Sequence, residues 1–193
     1  MVYGKGVMNW KQHKKKWEGC QRCVLCKKRK KVVLAKGTLP CEILFVGEAP
    51  GQSEDVMGIP FVGPAGKLFE KIVAAGLKDT DYTFAMTNII ACIPKDETGR
   101  KVAVGSDIPK EAIQECSTRL EEFIELAKPD AIVWVGGLSA KKGPAALGED
   151  SKAIQATIIH PAAIIRANVA NQSLPIQRSI ATIRGVAEEL IPF

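Results

Sequence analysis

The sequence predicts an α/β fold, a three-layer α/β/α arrangement with a central four-stranded, mainly parallel sheet. Two observations carry this. Four short apolar runs alternate with segments whose apolar residues recur at helical spacing, the order that layers helices over a parallel sheet. The runs are nearly continuous in Val, Ile, Leu, Phe and Trp, as in strands covered on both faces. Composition agrees: 46% of the 193 residues are hydrophobic and 25% charged, the proportions of one globular domain over residues 1–193.

Each element has its own signature. Residues 42–47 (EILFVG) form the first strand. The next segment, 64–76, is a helix with Leu68, Ile72 and Val73 on one face and Gly76 as its expected C-cap. A second strand covers 82–90. The following helix, 109–127, has Asp107 as a candidate N-cap and turns Ala112, Ile113, Cys116, Leu120, Phe123 and Ile124 to one side. Strands at 130–136 and 153–159 follow, the latter ending at His160-Pro161, and a last helix covers 176–190. The polar stretch 95–107 reads as a surface loop. In open parallel sheets ligands bind beyond the carboxyl ends of the strands. That selects residues 48–51, 88–92, 136–137 and 160–166.

Charge is unevenly spread. Residues 1–36 hold 12 of the 27 Lys and Arg and one acid, Glu18, so the net charge of +6 lies in this N-terminal block. A polyanion-facing patch, nucleic acid first, and a solvated arm both fit such a block. No apolar run reaches the ~20 residues of a membrane span, and residues 1–17 show no apolar stretch after their charges, so neither a membrane nor a signal peptide is expected. Thiols then stay reduced, which turns six Cys toward metal ligation. Cys20-x2-Cys23 is a chelating spacing. With Cys92 and Cys116 it makes a thiolate set without a nearby His, suited to iron–sulfur or zinc; Cys26 and Cys41 are spare, and Cys26 competes with Cys116 as a ligand.

Three strand-end motifs carry chemistry. In Gly47-Glu48-Ala49-Pro50-Gly51 the small residues let backbone approach a ligand, and Glu48 can orient a water. Phe61, set among Gly and Pro outside any periodic pattern, reads as a stacking platform for a planar ring rather than a core residue. Asn88 offers the paired acceptor and donor that match a pyrimidine edge. His160, as a neutral imidazole, can donate to a developing oxyanion, and Arg166 can reach a phosphate.

GEAPG…ED…GIPFVGPAGKLF, TNIIACIP and HPAAIIR in this order, with CxxC near the N-terminus, resemble the family 4 uracil-DNA glycosylases, the iron–sulfur-containing type of bacteria, archaea and phages. The resemblance spans roughly residues 20–190. It implies a [4Fe–4S] cluster on Cys20, Cys23, Cys92 and Cys116, and a water-positioning Glu48. It implies uracil held at Gly47, Ala49 and Gly51, stacked on Phe61 and read by Asn88, with His160 stabilising the leaving anion at O2. Arg166 would enter the DNA, and Lys27, Lys28, Lys30 and Lys31 would meet phosphates. The implied protein is a cytoplasmic monomer acting on uracil in single- or double-stranded DNA. Two departures stand out: 23 residues separate Cys92 from Cys116, longer than the family's usual gap, and Gly51 lacks the bulk that would reject a thymine methyl. The other readings are a non-catalytic iron–sulfur or zinc nucleic-acid-binding module and a glycosylase for another deaminated base such as hypoxanthine.

Overall fold

The apolar runs assemble into one twisted sheet whose two faces are both covered. The computed structural model describes residues 8–96, 98–100, 102 and 108–191. Five strands, β1 (Ala35–Gly37), β2 (Ile43–Gly47), β3 (Phe84–Asn88), β4 (Ala131–Val135) and β5 (Ile154–Ile158), lie in the order β1-β3-β2-β4-β5. All neighbours are parallel except β1, which pairs antiparallel with β3. The expected four strands are therefore present, one to two residues shorter at their ends, and a fifth is added. β1 is three residues long and contains Lys36, so nothing in its composition marks it. It forms because β3 offers an open edge, and Thr87 Oγ1 donates to Leu34 O at 2.6 Å beside it.

The helices are α1 (Trp10–Trp17), α2 (Gln52–Met57), α3 (Pro64–Gly76), α4 (Lys110–Ala127), α5 (Gly137–Lys142), α6 (Pro161–Arg166) and α7 (Ser173–Glu189). Alternation along β2 divides its side chains between two cores. Ile43 and Phe45 meet Phe69, Ile72 and Val73 of α3 and Ile183 of α7. Leu44 and Val46 meet Leu120 and Phe123 of α4 together with Trp134. A third cluster, around Trp17, Leu25, Ile90 and Cys92, seats the N-terminal segment on α4.

Four expectations change at this level. Gly76 does not cap α3: it is the last helical residue, and a Cβ there would run into Ile183, so its smallness lets α3 and α7 pack closely. Pro109 occupies the N-cap of α4, and Asp107 lies outside the described residues. α7 begins three residues before the expected start, because Pro175 falls in its first turn, where the missing N–H costs nothing. Of the stretch expected as a surface loop, residues 97, 101 and 103–107 lie outside the described residues, but Lys95 is not on the surface. Its side chain is 8% exposed and pairs at 2.8 Å with Asp55, itself 1% exposed.

Candidate active site and cysteine pocket

β2 and β3 end side by side, with Gly47 in register with Asn88. A Cβ at Gly47 would collide with Asn88 Oδ1 and with the Phe61 ring, so these two side chains converge on one glycine. Asn88 is buried. Phe61 has a φ of 55°, a conformation that costs a bulky residue free energy and persists only when its surroundings impose it. They do so in three ways. Lys36 Nζ donates to the Phe61 carbonyl at 3.2 Å. Buried Glu54 accepts from the N–H groups of Val62 and Gly63 at 3.0 and 2.8 Å. Gly66 leaves room where any Cβ would strike the Phe61 backbone. The left-handed turn drives the ring inward, 7% exposed and 4.9 Å from the Phe69 ring. The expectation that Phe61 stands outside the core is thus corrected: it is a core residue whose ring also reaches Gly47.

Glu48 and His160 meet above Gly136, at the end of β4. Gly136 has a φ of 106°, and a Cβ on it would clash with the Glu48 carboxylate and crowd His160 Cβ. Glu48 is buried, and its Oε1 accepts the Leu138 N–H at 3.0 Å. His160 caps α6, its Nδ1 accepting the Ala162 N–H at 3.1 Å. With Nδ1 an acceptor, the proton of the neutral ring sits on Nε2, which makes Nε2 a donor. Both residues line a cleft of about 730 Å³ together with Ala49, Gly137 and Arg166. Gly47, Gly51, Phe61 and Asn88 are not among its lining residues; Gly51 is the N-cap of α2.

Cys20, Cys23, Cys26, Cys92 and Cys116 line one pocket between the N-terminal segment, the loop after β3 and α4; Cys41 is buried elsewhere, in the core beneath α4. Burial pushes the Cys92 thiol up to about 12; Arg29 opposes the rise, and Cys116, Cys23 and Cys20 add to it. The Cys23 thiol is also raised, first by burial, with Cys116, Cys20 and Cys26 contributing. Among the described residues no group of three or more His, Cys, Asp or Glu side chains is arranged to hold a single metal ion. A donor set of four thiols alone is the set that iron–sulfur clusters take. Arg119, 1% exposed, lines the same pocket, and its Nε–H has no acceptor among the described residues. An orphaned donor at a thiol pocket fits a sulfur-rich anionic guest.

The uracil DNA glycosylase superfamily model matches residues 35–183. The chain belongs to that superfamily. Three curated relatives named Type-4 uracil-DNA glycosylase are similar to this member. That of Saccharolobus solfataricus is 37% identical over 117 residues, 61% of this chain and 50% of the relative. That of Archaeoglobus fulgidus is 36% identical over 123 residues, 63% and 57% of the two chains. That of Sulfurisphaera tokodaii is 35% identical over 136 residues, 70% and 58%. The chain thus matches only about half to three-fifths of the length of these relatives. Its fold is similar to that of wild-type SMUG2 of Pedobacter heparinus, with TM-score 0.56, 14% identity and coverage of 77% and 76%. A Methanosarcina acetivorans uracil DNA glycosylase candidate solved by NMR gives TM-score 0.53, 13% identity and coverage of 82% and 98%.

In this superfamily member the basic block is folded from residue 8 onward. Trp10, His13 and Trp17 bring α1 onto α4, where Trp17 Nε1 donates to Glu122 at 2.7 Å. Lys27, Lys28, Lys30 and Lys31 remain exposed, although Lys28 donates to Asp96 O at 2.7 Å. Arg29 turns inward instead, donating to Cys20 O and, at 3.5 Å, to Cys92 Sγ. Lys36, Glu54, Lys95 and Arg119 are the residues that sequence reasoning missed. The only signal for Arg119 was its place on the same helix face as Cys116, three residues earlier. No described helix is long and apolar enough to cross a membrane.

Proposed function

We propose that the chain is a uracil-DNA glycosylase of base excision repair, hydrolysing the N-glycosidic bond of deoxyuridine in DNA to free uracil and an abasic site. The observation that carries this reading is the meeting of Glu48 and His160 over Gly136, one residue along β2 from the glycine on which Asn88 and Phe61 converge. Membership of the superfamily and likeness to Type-4 relatives support it. DNA docks through the exposed lysines and Arg166, and a flipped uracil enters the cleft; flipping costs a few kcal/mol and is cheapest at mispairs or in single strands. Phe61 backs the ring, and Asn88 accepts and donates along its edge. As the N1–C1′ bond breaks, the electron pair leaves with uracil, and His160 Nε2–H stabilises the charge gathering at O2. Glu48 orients the water that attacks C1′ and takes up its proton. Cys20, Cys23, Cys92 and Cys116 would hold one [4Fe–4S] cluster. When bound, it supplies a cross-link between the N-terminal segment and the loop after β3. Packing favours Cys116 as the fourth ligand, since it shares one buried cluster with Cys92, against which Cys20 and Cys23 lie.

A uracil-release assay on defined oligonucleotides tests the reading. We expect free uracil, alkali-labile strands and no protein–DNA adduct on a denaturing gel, because residues 93–115 contain no His that could attack the sugar. Glu48→Gln and His160→Ala should each lower the single-turnover rate by roughly 10²–10³. DNA binding without release would leave a non-catalytic module; release of hypoxanthine alone would reassign the substrate. Iron analysis should show that Cys116→Ala loses the chromophore or the soluble protein and Cys26→Ala keeps both; the reverse would reassign the ligands.

A further inference from the structure

Three guanidiniums line the cysteine pocket, and only one of them has a carboxylate partner among the described residues. Arg22 pairs with Glu115 at 2.9 Å. Arg29 is spent on Cys92 Sγ and Cys20 O. Arg119 donates through Nη1 to Thr87 Oγ1 at 3.0 Å, and through Nη2 to Ile89 O at 3.1 Å and to Asn88 O. All three of its acceptors are neutral, and its Nε–H has none. The nearby acid of the next turn, Glu122, is occupied by Lys16 and Trp17, and His13 is the other titratable group that senses the Arg119 charge.

A guanidinium does not shed its proton in a protein, and a charge this deeply buried is costly without a counter-charge. Cys116 lies on the same face of α4 one turn earlier and lines the same pocket. An iron–sulfur cube held by thiolates carries net negative charge, and that charge and the hydrogen bonds to its sulfurs set its potential. We propose that Arg119 is a second, buried counter-cation of the thiolate cluster, beside Arg29, and, through its grip on the backbone of Asn88 and Ile89, the positioning residue that ties the cluster to the base-reading strand end. This rests on the reading that Cys20, Cys23, Cys92 and Cys116 hold the cluster. The same guanidinium then serves two partners. Its charge borders the pocket that the cysteines line, and its fork fixes three acceptors at the end of β3.

Arg119→Met and Arg119→Lys separate charge from fork. The iron-loaded proteins are compared by cluster midpoint potential in film voltammetry and by amide hydrogen exchange over residues 87–90. Removing a neighbouring positive charge makes the more negative redox state harder to form. Arg119→Met should therefore shift the potential to more negative values and speed exchange by roughly tenfold, the loss of about one hydrogen bond to a charged donor. Arg119→Lys should hold the potential near that of the parent protein while exchange still rises, because one ammonium cannot reproduce the planar fork. An Arg119→Met potential equal to the parent's overturns the counter-cation role, and unchanged exchange in both variants overturns the positioning role. Should Arg119→Met not load, Arg119→Lys decides: loading at the parent potential supports the proposal, and failure to load shows that shape rather than charge is required. A parent protein that purifies without iron would instead overturn the cluster reading on which this rests.

Discussion

Asn88 is the residue whose chemistry leaves least latitude. Its side chain is buried against Gly47, and its backbone carbonyl is held by Arg119, so the main chain that carries the amide is fixed. Asn88→Asp keeps the size and removes the donor, leaving a polar edge of the base unpaired at a cost of about 1–3 kcal/mol. We expect the single-turnover rate on a uracil oligonucleotide to fall by roughly tenfold to a hundredfold, and an unchanged rate would remove Asn88 from the site. Asn88, Glu48 and His160 were legible in the sequence because each follows an apolar run, where a parallel sheet presents its ligand-binding edge. Arg119 and Lys95 were not. A cation inside a helical or polar stretch reads as solvent-facing, and only the fold reveals that Thr87, Asn88, Ile89 and Asp55 surround them. Phe61 was misjudged for a related reason: a positive φ in a non-glycine residue leaves no trace in composition, yet it decides which way the ring points.

Among the elements, α1 shows how a charge run can conceal packing. Its lysines dominate the composition, but Trp10, His13 and Trp17 fall at spacings that align them toward Phe123 of α4. His13 is fully buried, and neither ring nitrogen has a hydrogen-bond partner among the described residues. Burial, reinforced by Arg119, lowers its pKa from 6.5 to about 4, against the pull of Glu122 at 3.9 Å. A base whose folded pKa is depressed binds its proton more readily in the unfolded chain. The stability is therefore complete above pH 6.5 and is lost as pH falls toward about 4, by up to about 1.4 kcal/mol per pH unit. Thermal unfolding across this window should show the slope, and His13→Phe should flatten it and raise Tm near neutral pH, since Phe keeps an aromatic ring there and buries no unpaired nitrogen. A slope unchanged by His13→Phe would place the acid sensitivity elsewhere. The helices α3, α4 and α7 were readable as helical segments between the strands, and β2 to β5 from their apolar runs. α1 and β1 were not, because each depends on a partner surface far away in the chain.

At the scale of the whole molecule, the charge asymmetry and the sheet share one geometry. The basic N-terminal segment packs on α4 and on the loop after β3, so its exposed lysines are carried on the body that also bears the cleft. Replacing Lys27, Lys28, Lys30 and Lys31 with Gln should lower the log–log salt slope of duplex binding by ~0.9 for each phosphate no longer neutralised and leave uracil selectivity intact. A slope identical to the parent's would make the patch an idle solvated surface. The docking of this segment also has a consequence in time. Trp17 and its acceptor Glu122 stand 105 residues apart. A ribosome adding about 5–20 residues per second needs roughly 5 to 20 s to cover that distance. Throughout that interval the nascent segment presents two tryptophans, a lysine run and the first cysteines with no α4 to receive them. A holdase that favours basic aromatic stretches would meet this segment before α4 is made, and any group held jointly by Cys20, Cys23 and Cys116 could be completed only once synthesis has passed Cys116.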